Sequence, residues 1–302
     1  MLRPPDLHPG DLIAVISPAG KARRPATDMA VEVLRARGWR VRVMDNALGE
    51  CGSMSGTCEE RLADITAALL DDEVKAILCS RGGYGAVHLL GHLSPQLVRA
   101  HAKWLIGFSD ISALHALWLR AGVQSIHGPM AKHIVASAEQ QSANALDLPR
   151  LEGILTGGSP TYRWEAHPLN HSGSARGILV GGNFSVLSAL AATPYDVFAT
   201  PGAILFIEDI NEPVYKIERL LYRLLLSGNM ANIKGIVVGD FTGVAPDVNH
   251  ASMYDMIHNA TSRVGIPVAM AFPAGHGSSA TPLILGAEAE LNVARESALI
   301  IS

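Results

Sequence analysis

Through the first half of the chain, apolar runs of strand length alternate with amphipathic stretches of helix length, and this alternation constrains the fold more than any other feature. The spacing predicts strands over 12–17, 40–44, 74–80, 104–107 and 123–126, and helices over 26–38, 57–70 and 110–121. Strands that follow one another through helices predict a parallel, doubly wound α/β sheet. The helix at 57–70 opens with Thr57-x-x-Glu60, a capping box in which each side chain satisfies a backbone amide at the helix start. In sheets of this kind ligands bind beyond the carboxyl ends of the strands. Two segments fall there: Arg81-Gly-Gly-Tyr-Gly85 after the strand at 74–80, and Ser109 after the strand at 104–107.

Near residue 156 the pattern changes. Turn-forming residues without periodicity read as a linker over 161–175, between a domain at 1–160 and a second at 176–302. The second domain carries predicted strands at 177–180, 203–208, 235–241, 267–272 and 289–293. Its predicted helices lie at 184–192, 214–226 and 251–264. That mixture suggests a further α/β unit, barrel-like in arrangement.

Of the 302 residues, 48% are hydrophobic and 17% charged, enough apolar material for a large core. A formal charge of −4 gives no electrostatic case for a nucleic-acid partner. The apolar runs are strand-length, so no membrane span is expected. The first residues lack a signal-peptide core, which makes a cytoplasmic protein the expectation. Cys51, Cys58 and Cys79 are expected to be reduced and unlinked.

A serine, an acid and a histidine each lie where a hydrophobic run ends: Ser109 in Ile-Gly-Phe-Ser-Asp, Glu208 in Leu-Phe-Ile-Glu-Asp, and His276 in Pro-Ala-Gly-His-Gly. These are the parts of a nucleophilic triad. Ser109 on a strand–turn–helix elbow would hold its hydroxyl clear of the sheet, with the Asp110 amide at a helix start able to donate to an oxyanion. A serine there is equally a good helix cap. Gly-x-Ser-x-Gly is absent, since Ile111 replaces the second glycine. The glycines after Arg81 could complete an oxyanion hole, cradle a phosphate or merely form a turn. Dinucleotide and phosphate-loop patterns both fail. Local sequence leaves the orienting acid open among Glu208, Asp209, Glu212 and Glu218. His88 and His92 are spaced as a metal pair, but there is no His-Glu-x-x-His and no Cys/His cluster, so neither a metal nor a cofactor is expected.

Taken in order, Pro9 to Gly20, Arg81-Gly-Gly-Tyr-Gly85, Gly107-Phe-Ser-Asp110, His127-Gly-Pro129, Gly181-Gly-Asn183, Ile207-Glu-Asp209, Ile217-Glu-Arg219 and Gly275-His276 resemble the LD-carboxypeptidase family. That family comprises the muramoyltetrapeptide carboxypeptidases and the microcin C immunity proteins. The resemblance implies a flavodoxin-like first domain and a barrel-like α/β second domain, often in a homodimer. It also implies a metal-free Ser-Glu-His triad of Ser109, Glu208 and His276, with oxyanion donors at the amides of Gly83 and Asp110. The implied reaction is release of the terminal D-alanine of murein tetrapeptide. Arg81 and Asn183 are candidates for holding the substrate's free carboxylate.

Two rival readings follow. An immunity-type amidase cleaving peptidyl or aminoacyl nucleotides would want an aromatic platform in the second domain, and residues 181–206 hold no tryptophan. A non-catalytic flavodoxin-like binding module would tolerate loss of Ser109.

Overall fold

The computed structural model describes residues 1–134, 148–277 and 280–302. Two compact units divide the chain: Met1–Gly158 together with the short segment that ends at Leu285, and Ser159–Gly277 with Gly286–Ser302.

The first unit is built on five parallel strands: β1 (Leu12–Ile16), β2 (Arg40–Val43), β3 (Val74–Cys79), β4 (Trp104–Gly107) and β5 (Ser125–His127). Their spatial order, β2-β1-β3-β4-β5, is the flavodoxin-like doubly wound order. Every residue of β1 and of β4 is buried, because helices cover both faces of a parallel sheet. Helix Cys58–Leu70 starts with the predicted capping box, Thr57 accepting from the Glu60 amide and Glu60 from the Thr57 amide. One strand the periodicity does not reveal is β11 (Leu283–Leu285). It pairs antiparallel with β5, Leu283 opposite His127, and so completes the first sheet from far along the chain.

The second unit holds a seven-stranded mixed sheet. Its members are β6 (Thr161–Glu165), β7 (Gly173–Asn183), β8 (Ala203–Ile210), β9 (Ile233–Thr242), β10 (Val268–Ala269), β12 (Glu288–Val293) and β13 (Glu296–Ile301), in the order β10-β9-β8-β7-β12-β13-β6. The α/β class and the two-part architecture agree with expectation. The sheet, however, runs from β10 to β6 as an open series among the described residues, not as a closed barrel. Residues 161–175 are not a linker either. They contribute β6, whose Tyr162 is buried, and the start of β7; β6 pairs with β13 and β7 with β12. The turn residues on either side of β6 conceal a five-residue strand. Helix Val214–Leu226 matches its predicted span, burying Val214, Ile217, Leu221 and Leu224 along one stripe.

Candidate active site

β4 ends at Gly107, and the chain turns through Phe108 into a short 3₁₀ segment, Ser109–Ile111, before helix Ser112–Arg120 begins. Ser109 makes the turn with φ 65°, left-handed backbone that costs a residue bearing a Cβ about 1–2 kcal/mol. Strain of this kind concentrates at functional sites. It also explains why the regular helix starts at Ser112 and not at residue 110. Ile111 fits in place of the elbow glycine because Gly107 lacks a side chain. A Cβ there would lie 3.1 Å from both Cγ atoms of Ile111.

The turn after β3 is fitted to this elbow. A Cβ on Gly82 would stand 2.8 Å from Ser109 Cβ and 3.0 Å from its Oγ. Gly83 and Gly85 both have positive φ, 117° and 119°. The Asp110 carboxylate accepts from the Ala86 amide at 2.9 Å, which ties the turn to the residue after Ser109. Burial raises the pKa of Asp110, opposed by that amide and by the charge of Arg61. Arg61 is 2% exposed and joins three loops. Its Nη1 donates to Pro18 O and Gly85 O, both at 2.7 Å, and its Nε to Gly56 O and Thr57 O at 3.3 Å. Sequence reasoning passed over Arg61, since a charged residue in a helix ordinarily faces water.

In the second unit the ring Nδ1 of His276 lies 2.6 Å from Glu208 Oε2. Glu208 is fully buried near the end of β8, at an irregularity in its register with β9 between Ile207 and Asp209. Such a bulge re-aims side chains. Burial pushes the Glu208 carboxyl above its ordinary pKa, while His276 and Asn183 act in the opposite direction. Both glycines beside His276 are sterically required. A Cβ on Gly275, at φ 131°, would come within 3.0 Å of Glu208 Cβ and Oε2, and one on Gly277 would come within 2.3 Å of Asp240 Oδ2.

The four candidate acids now separate. Asp209 accepts from Asn183 Nδ2 (3.0 Å) and from the Ser185 amide (2.8 Å), Glu212 pairs with Lys216, and Glu218 faces His250. Only Glu208 among them meets His276. Asn183 is buried; its Oδ1 accepts from the Val186 amide and its Nδ2 serves Asp209. Those bonds tie Asn183 to Asp209 and to the helix that begins at Phe184. Asp240, on β9, is the residue the sequence did not single out. Its Oδ2 accepts from the Gly277 amide at 3.2 Å, and burial together with Glu208 pushes its pKa up to about 6. Its position near the end of an apolar strand, like that of Glu208, was the available signal. His115 is buried in the first unit, its ring within 2.8 Å of Ser125 Oγ and Gly107 O, and burial pushes its pKa down to about 4. His88 sits edge-on to Tyr84, with Nδ1 near Arg61.

A strained serine on an elbow and a buried carboxylate–imidazole pair are the components of acyl-transfer chemistry. Residues 13–128 match the LD-carboxypeptidase N-terminal domain and residues 176–291 match its C-terminal domain. The chain belongs to the LD-carboxypeptidase family. A probable murein peptide carboxypeptidase of Bacillus subtilis is 33% identical over 303 residues, covering 99% of this chain and 94% of that protein. The murein tetrapeptide carboxypeptidase of Pseudomonas aeruginosa is 32% identical over 266 residues, 84% of this chain and 86% of its own length. Among solved structures, the muramoyltetrapeptide carboxypeptidase of Oxalobacter formigenes superposes with a TM-score of 0.87 at 29% identity, over 96% of this chain and 98% of that one. A microcin C7 self-immunity protein in complex with aspartyl sulfamoyl adenosine shares the fold, with a TM-score of 0.87 at 22% identity over 100% and 99% of the two chains. This member of the family is accordingly an enzyme, a hydrolase of the carboxypeptidase type.

Proposed function

We propose that the enzyme is a serine L,D-carboxypeptidase that removes the terminal D-alanine from murein tetrapeptide in the cytoplasm. The observation that carries the reading is the Glu208–His276 pair in a chain whose elbow serine is held at φ 65°. With Nδ1–H donated to Glu208, Nε2 of His276 is left as the basic nitrogen. In the proposed reaction Nε2 takes the Ser109 proton as Oγ attacks the scissile carbonyl. Glu208 fixes the tautomer and stabilises the imidazolium. The Gly83 and Asp110 amides receive the oxyanion. His276 then protonates the departing amine of D-alanine, and water, activated by the same ring, hydrolyses the acyl-enzyme. Murein substrates named for relatives at 32–33% identity support the choice of peptide. A nucleotide-bearing substrate is less well supported. Phe184 and Phe198 are buried against each other, centroids 6.0 Å apart, and offer no face to a base.

The test is release of D-alanine from the tetrapeptide by wild type and by Ser109→Ala. Loss on the order of 10⁶-fold in kcat is expected. Activity of the variant within tenfold of wild type would overturn the assignment.

A further inference from the structure

We propose that a cationic cavity at the carboxyl end of β3, in the first unit, is an anion subsite that holds a carboxylate of the peptide substrate. The cavity encloses about 260 Å³, and Arg23, Thr27, Ser80, Arg81 and Lys132 are among its lining residues. Three of those side chains are cationic, and none of the described residues that line the cavity is acidic. The volume suits the end of a peptide better than a whole nucleotide, since sites for drug-sized ligands run from about 300 Å³ upward.

Among the described residues no acid pairs with these charges. Arg81 donates Nη1 to Lys21 O at 3.3 Å, but its Nε is buried with no hydrogen-bond partner among the described residues. Arg engages a carboxylate in a planar fork, and three cations with no acid beside them among the described lining residues favour an incoming anion. Lys132 is exposed as a residue. Its ammonium is nevertheless crowded enough that desolvation, and then Arg81, lower its pKa, with no carboxylate acting in the other direction. The Lys132 amide donates to Ser80 O at 3.0 Å, which fixes this residue beside the strand end.

The cavity is also correctly placed for the reaction. Ser80 and Arg81 line it, and the next residue, Gly82, packs against the side chain of Ser109. Successive Cα atoms are about 3.8 Å apart, so the subsite lies within about one or two residue lengths of the serine's support. That is the separation between a scissile carbonyl and the carboxylate of a single leaving residue. The identity of the ligand rests on the carboxypeptidase reading; the sign of its charge does not.

Arg81→Gln and Lys132→Met, each checked for an unchanged circular dichroism spectrum, are compared with wild type on the tetrapeptide and on its C-terminal amide. Each variant is expected to raise KM for the free acid tenfold or more with kcat within about threefold, and wild type is expected to discriminate strongly against the amide. If wild type releases D-alanine while both variants keep its KM, the subsite falls and the function stands. If wild type turns over neither peptide, the function falls, and titration with acetate and inorganic phosphate followed by NMR of the amides of residues 80–82 decides the subsite. Acetate-induced shifts that vanish in Arg81→Gln uphold it. An absence of shifts, or a tenfold preference for phosphate, overturns the carboxylate assignment.

Discussion

The backbone of Gly82 lies against the side chain of Ser109, so close that a methyl group on residue 82 would reach within 2.8 Å of Ser109 Cβ. Gly82→Ala is therefore expected to displace the serine as well as overpack the turn. Overpacking costs about 1–3 kcal/mol. The melting temperature should fall by a few degrees while kcat on the tetrapeptide falls at least a hundredfold. A variant with lowered melting temperature and wild-type kcat would show that the elbow tolerates the shift.

Glu208→Gln separates activity from stability. The neutral amide keeps the shape of the carboxylate but cannot stabilise an imidazolium, and kcat should drop by ~10⁴-fold. Because burial raises the Glu208 pKa, its charge is disfavoured in the folded protein, and removing the charge should leave the melting temperature level or higher. A melting temperature lowered by many degrees would show that the dyad is chiefly a structural element.

Asp240 gives the fold a pH signature. Its folded pKa of about 6 lies above the ordinary value of 3.8. Between those values the folded protein holds a proton that the unfolded chain releases. The contribution of Asp240 to stability is full below pH ~4 and is lost as the pH rises through ~6. Urea midpoints measured from pH 4 to 8 should show this decline in wild type and a smaller one in Asp240→Asn, whose amide oxygen can still accept from Gly277. Parallel curves would contradict it.

Arg61→Lys is expected to behave as a large change. One ammonium cannot reproduce bonds to Pro18 O, Gly85 O, Gly56 O and Thr57 O. Each buried carbonyl left unmatched costs about 1–3 kcal/mol. Denaturant unfolding should report a loss of several kcal/mol, and a change below about 1 kcal/mol would show that water replaces the guanidinium.

Much of this was legible in the chain, for physical reasons. Helix burial enforces the 3.6-residue period, which located Val214–Leu226, and parallel strands buried on both faces stand out as apolar runs, as β4 does. Ser109, Glu208 and His276 were visible because each ends such a run or sits among glycines. β6 and β11 were not, because short strands that pair with distant partners carry little local signal, and β13, although it pairs with the adjacent β12, went unread as well. Strand 267–272 shrank to Val268–Ala269 because Ala271 adopts φ 59°. Asp240 and Arg61 were missed because their importance lies in partners far along the chain, at Gly277 and at Pro18.

The pairing of β11 with β5 also sets an order on biosynthesis. The ribosome delivers the first unit's five parallel strands early, but the outer edge of β5 finds its cover only after Leu285 emerges, when nearly the whole second unit has been made. Without β11 that strand edge would be unpaired, the kind of surface that recruits stray strands. In sequence, most of the second unit thus lies between β5 and the strand that covers it, and the first sheet gains its last strand before the second unit receives β12 and β13.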